Sequence, residues 1–130
     1  MRKISSLILL LFAFMATAQN TNPLFDDFTT IPFSKIKTEH YMPAIDRGIE
    51  RARAEVDAIV NNPEAPTFEN TIVAYEKTGE DLDRVTSIFF NLLEADANDE
   101  MMALSMEASQ KLSDYGTDII LNPGLWQRIK

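Results

Sequence analysis

The chain has 130 residues, 45% hydrophobic and 25% charged, the proportions of one folded globular unit and not of a disordered tail. It has no cysteine and one histidine, His40, which excludes a disulfide framework, a thiolate zinc site and the histidine pair that most catalytic zinc centres use. The formal charge of −8 repels phosphate and argues against nucleic acid as a partner; a solvated acidic surface is its plainest reading.

Met1-Arg2-Lys3 is a short basic start, Leu7 to Met15 is an unbroken apolar run, and Ala16-Thr17-Ala18 is a small-x-small cleavage site. In this order the three parts read as a secretory signal peptide over residues 1–18, cut between Ala18 and Gln19. The apolar run is too short for a stable membrane anchor. The competing reading is an uncleaved anchor or a buried N-terminal helix. Cleavage takes Arg2 and Lys3 with it, so 12 basic residues become 10 against 20 acids and the mature charge is −10. The expected localisation is exported, either periplasmic or secreted.

Residues 19–37 follow as an extended arm. Pro23, Pro32 and the phenylalanines 25, 28 and 33 show no clean period, and three phenylalanines in open coil need a surface to lie on. Residues 38–130 read as helices. Thr38 offers a cap and Pro43 fits only a first turn, so the first regular helix is expected to start between Thr38 and Met42. Tyr41, Ile45, Ile49, Ala52, Val56 and Ile59 recur at steps of three or four, and Asn61-Asn62-Pro63 stops the helix. Thr67 caps the next one. Its stripe is Phe68, Ile72, Tyr75, Gly79, Leu82, Val85, Phe89 and Leu92. That period passes through Gly79 in phase, so one long helix from Phe68 to Ala95, kinked near Thr78-Gly79, is expected, with a Glu80–Arg84 pair.

Asn98 caps a third helix with the stripe Met101, Leu104, Ala108, Leu112, Tyr115 and Ile119 and a Glu107–Lys111 pair. Asn122-Pro123 opens a fourth, with Leu125, Trp126 and Ile129 as its apolar residues. No stretch alternates as a strand would. The expected fold class is all-α: an antiparallel helical segment of about three long helices plus the start of a fourth, preceded by the arm. Lys130 falls two turns into that last helix, with Trp126 uncovered, which suggests a chain truncated at its C-terminus; a real short terminal helix is the alternative.

Several strings stand in a recognisable order: Asn22-Pro23-Leu24, Pro32 to Lys37, Glu39 to Ala44, Asn62 to Ile72, Ser87 to Leu92 and Leu121-Asn122-Pro123. The Pro66-Thr67-Phe68-Glu69-Asn70-Thr71 string is the most specific. Over Asn22 to Lys130 the chain resembles the N-terminal region of the thimet oligopeptidase / peptidyl-dipeptidase family, which includes the dipeptidyl carboxypeptidases and oligopeptidase A. The resemblance implies a larger, almost wholly helical zinc peptidase. Its H-E-x-x-H motif would hold the metal, and the motif glutamate would act as base on a zinc-bound water. Its substrates would be short unfolded peptides admitted to a channel. The signal peptide and the Pro-Thr-Phe-Glu-Asn-Thr context lean towards the branch that removes C-terminal dipeptides.

With His40 alone, H-E-x-x-H cannot exist in this sequence. No catalytic, metal or cofactor-binding residue carries over, so zinc is expected in the full-length parent and not on this chain, which is expected to be inactive alone. The expected partners are short peptide substrates, for the full-length protein, and the rest of the peptidase body. The alternative is a small secreted helical binding module of 112 mature residues without enzymatic activity. Three sharper readings lose to plainer ones. His40 reads as a structural or surface group. Asp96 to Glu107 echoes a calcium loop, but its sixth position is Met101 where a sharp turn wants glycine. Met101, Met102 and Met106 read as core filling before a peptide-binding groove.

Overall fold

The computed structural model describes residues Asn22 to Lys130. The signal peptide expected over residues 1–18 and the expected cut between Ala18 and Gln19 lie outside the described residues. Among those described there are helices and no strands, so the fold is all-α.

The arm is not simply extended. It carries 3-10 turns at Pro23–Phe25 and Phe33–Lys35 and lies against the helices. Asn22 is buried, accepts the Leu24 N–H at 3.0 Å and donates to the His40 carbonyl at 2.7 Å. Leu24 is buried in the main core. Phe25 lies under the Arg47 guanidinium at 4.3 Å and Phe28 under Arg84 at 4.9 Å, so two of the three phenylalanines find a surface; Phe33 stays 54% exposed.

Helix α1 spans Tyr41–Val60 and is entered through a 3-10 turn, Thr38–His40. The cap differs from expectation. Thr38 is already inside the turn, and the Lys37 N–H is taken by His40 Nδ1 at 3.0 Å. The imidazole reaches back over one turn, a job Thr38 cannot do from its own position. The apolar stripe is as spaced in sequence, with Ala44 and Gly48 also buried between its members.

The long second helix is in fact two. Thr67 caps a π turn, Phe68–Val73, which runs into α2, Ala74–Glu76. Gly79 then adopts a left-handed conformation (φ 80°), and α3, Glu80–Ala95, starts after it. A helix cannot pass through that conformation, and only glycine takes it cheaply. Glu55 on α1 holds the break by accepting the Gly79 N–H at 2.8 Å. The in-phase stripe hid the break because a count at α-helical period registers neither the π turn nor the left-handed glycine.

Helix α4 spans Asp99–Ile120 and α5 spans Pro123–Ile129. Asn98 accepts the Met101 N–H at 2.9 Å and Asn122 accepts the Leu125 N–H at 3.0 Å, both as the sequence indicates. Helix α1 packs on α3, and on α4 and α5 beyond it. The main core centres on Tyr41, Ile45, Leu82, Val85 and Phe89, with ring centroids of Tyr41 and Phe89 5.0 Å apart. A smaller core of Val56, Ile59, Ile119 and Leu125 sits at the far end of α1, beneath α5. Among the described residues no helix is long and apolar enough to cross a membrane.

Candidate functional site

Several acidic and basic side chains stitch elements together. Asp81 on α3 receives Arg51 from α1 and, at 3.2 Å, Arg84 from its own helix; Arg84 also donates to the Asp26 carbonyl of the arm at 3.2 Å. The expected Glu80–Arg84 pair is therefore replaced by Asp81–Arg84, one residue closer, which leaves the guanidinium in reach of the arm and of Phe28. The Glu107–Lys111 pair forms at 3.6 Å, and Lys111 makes a shorter contact, 2.6 Å, to Asp46 on α1. The Asp46 hydrogen bond raises the Lys111 pKa above its ordinary value. Burial raises the hydroxyls of Tyr41 and Tyr115 above theirs. Arg51, Asp81 and Arg84 line a small cavity with Leu24, Phe25 and Val85, where they pair with one another.

His40 is 8% exposed. Its Nδ1 is committed as acceptor to the Lys37 N–H, and its Nε2 stands 3.9 Å from a Glu39 carboxylate oxygen. That geometry is a turn lock that also seats the arm, because Asn22 bonds to the carbonyl of the same residue. The Asp96 to Glu107 stretch does not form a loop: α4 begins at Asp99, so Asp99, Glu100 and Glu107 are helical and cannot converge with Asp96. The described residues contain no group of three or more His, Cys, Asp or Glu side chains that could hold a metal ion, so they do not fit the zinc centre the resemblance implies for the parent. Of the three methionines, Met101 is buried in the core, whereas Met102 and Met106 are exposed on α4, which departs from the core-filling reading for those two. They follow Met101 at one and five positions, turned off its buried face.

Exposed apolar side chains line two grooves. Phe68 is 68% exposed on the π turn, although the sequence stripe places it in the core. It shares a groove of about 310 Å³ with Thr67, Thr71, Ile72, Arg128 and Ile129. Ile120, Leu121 and Trp126 are exposed at the α4–α5 junction, where the Trp126 indole N–H donates to the Ile120 carbonyl. Arg128 spans the floor, donating to the carbonyls of Asn62 (2.8 Å) and Glu64 (3.3 Å) and to Asn70 Oδ1 (3.2 Å). A second groove of about 260 Å³, between Ile31, Phe33, Ile88, Leu92 and Ala95, is wholly apolar but for Ser87 and Asn91. Trp126 was visible in the sequence as an uncovered group. Phe68 was not, because its membership of the stripe assumed α-helical phase through a turn that is π.

No protein-family model matches the chain. Individual relatives do. A dipeptidyl carboxypeptidase of Salmonella typhimurium is 43% identical over 114 residues, 85% of this chain and 17% of the relative. One from Escherichia coli is 45% identical over 97 residues, 75% of this chain and 14% of the relative. Oligopeptidase A of Salmonella typhimurium is 29% identical over 106 residues, 82% of this chain and 16% of the relative.

The chain belongs to the peptidyl-dipeptidase/oligopeptidase family.

It spans less than a fifth of the length of these relatives. Within this family segment the described residues form interlocked helices with side-chain caps and ion pairs between elements.

Proposed function

We propose that this chain is the non-catalytic N-terminal portion of an exported zinc-dependent peptidyl-dipeptidase or oligopeptidase, whose full-length form removes C-terminal dipeptides from short peptides. The observation that carries the reading is the 43% identity to a dipeptidyl carboxypeptidase over 114 residues that make up only 17% of that protein. Zinc would be held by histidines outside these residues, since His40 is the single histidine of the chain. The helices would form part of the wall that limits which peptides enter the channel. The basic start, apolar run and Ala16-Thr17-Ala18 site support export.

The test begins with the gene. An open reading frame continuing past Lys130 to an H-E-x-x-H motif is expected. The full polypeptide should release dipeptides from the free C-terminus of a blocked tripeptide or longer substrate, lose that activity to a chelator and regain it with zinc. Residues 19–130 alone should not cleave such a peptide. An in-frame stop after Lys130 would favour the second reading, a small secreted helical binding module. The enclosed core around Tyr41 and Phe89 gives that reading its support.

A further inference from the structure

Resting on the reading of the chain as part of a larger peptidase, we propose that the end face between Phe68 and Arg128 seats an apolar, carboxylate-bearing segment of the remaining peptidase polypeptide. Two observations select the occupant. The groove carries the exposed Phe68 and Ile129, and the exposed Trp126 precedes Ile129 by three positions on α5, large apolar groups that isolated surfaces seldom expose together. It also carries positive charge inside a strongly acidic chain. Among the described residues neither Arg128 nor Lys130 has an ion-pair partner within reach.

Arg128 decides the chemistry. Its terminal nitrogens are satisfied by neutral oxygens, two carbonyls and one side-chain amide, so they position the guanidinium without neutralising it. Its Nε is buried and has no hydrogen-bond partner. A purely apolar occupant would strip water from an uncompensated cation, and a lone buried charge is strongly unfavourable. A carboxylate arriving with the apolar group supplies the counter-charge as it covers the site. The groove of Ile31, Phe33 and Ile88 has no charged lining residue and makes no such demand. The source of the segment follows from length. The chain spans 17% or less of the relatives it matches, which leaves most of such a polypeptide to provide it.

The experiment places a benzophenone amino acid at Phe68 in the full-length polypeptide, with Phe33 as the comparison position. After irradiation, the Phe68 position should give an intramolecular adduct to a peptide beyond Lys130 that carries Asp or Glu within one helical turn of the attachment point. Adducts only to a second copy, only within residues 22–130, or to a segment without a nearby acid would overturn the proposal. So would a Phe68 yield no higher than that at Phe33. Dipeptide release is measured on the same preparation. An active enzyme without the adduct sinks the docking face and leaves the peptidase reading intact. The adduct in a polypeptide with no peptidase activity sinks that reading and leaves the docking face standing.

Discussion

Replacing Gly48 by alanine tests the close packing of α1 on the backbone of α3. Gly48 is buried in the middle of α1, and a methyl group there would stand 3.0 Å from both Cα and Cδ1 of Leu82 and 3.2 Å from its Cβ. Two effects oppose each other. Alanine is a better helix former than glycine by about 1 kcal/mol in a helix interior. Forcing an extra carbon into a filled interface costs about 1–3 kcal/mol. The identity of the neighbouring atoms settles the balance. A Leu82 Cδ1 alone could rotate away, but Cα belongs to the backbone of α3, and relieving it means moving a helix that carries Val85 and Phe89 in the same core. The net expectation is a loss of about 1 kcal/mol, which for a unit of this size lowers the melting temperature by roughly 4–8 °C. Urea unfolding followed by far-UV circular dichroism reads it as a lower midpoint at unchanged slope. The companion Leu82→Ala takes away the crowding by Cδ1 and leaves the α3 backbone where it is, so the double variant should fall short of the sum of the two losses. A Gly48→Ala protein as stable as the parent, or more so, would show that α1 and α3 slide freely and that this packing argument is wrong.

Tyr41→Phe should leave stability unchanged or raise it by up to about 1 kcal/mol, because the Tyr41 hydroxyl is buried without a hydrogen-bond partner and its removal lifts a desolvation penalty. The same substitution should blunt alkaline unfolding. Burial raises the Tyr41 and Tyr115 pKa values in the native state, so above their ordinary value of 10.0 the unfolded chain loses protons that the native chain keeps. Stability is therefore full below pH 10 and falls as pH rises through the native values, and urea midpoints measured on either side of about pH 10 should show a smaller drop for Tyr41→Phe than for the parent. Gly79→Ala should cost roughly 1–2 kcal/mol by circular-dichroism melts, since the φ of 80° is strained for any residue with a Cβ, even though the nearest neighbour of that Cβ, Ala52, lies at a comfortable 3.7 Å. A smaller cost would mean that the α2–α3 break relaxes towards the continuous helix that the periodicity suggests.

The helices were legible wherever one local rule acted alone. Asn98, Asn122 and Thr67 cap as their chemistry dictates, and the α1 stripe from Tyr41 to Ile59 is buried as its spacing requires. Failures came where a distant group chose between local options. Glu55, 24 residues away, fixes the Gly79 turn. Phe28 and the Asp26 carbonyl draw Arg84 to the arm side and on to Asp81. His40 competes with Thr38 for the helix entry through a bond to Lys37 and an anchored Asn22. The end face was half legible: Trp126 announced itself by lacking a cover, but Phe68 was hidden by a phase count that cannot register a π turn.

The string that most resembles the family, Pro66 to Thr71, has an architectural explanation in the fold. Thr67 and Asn70 cap each other, with Thr67 Oγ1 accepting the Asn70 N–H at 3.1 Å and Asn70 Oδ1 accepting the Thr67 N–H at 2.8 Å. The Asn70 amide nitrogen then donates to the Ala65 carbonyl at 3.0 Å, and its oxygen also receives the Thr71 hydroxyl and the Arg128 guanidinium. One side chain thus fixes the loop after α1, starts the π turn and holds α5 from 58 residues away. An aspartate would keep the acceptor and lose the donor; a serine would be too short for both. The demand on Asn70 is geometric. What this string fixes is how α5, with Trp126, Arg128 and Ile129, is presented against the loop after α1.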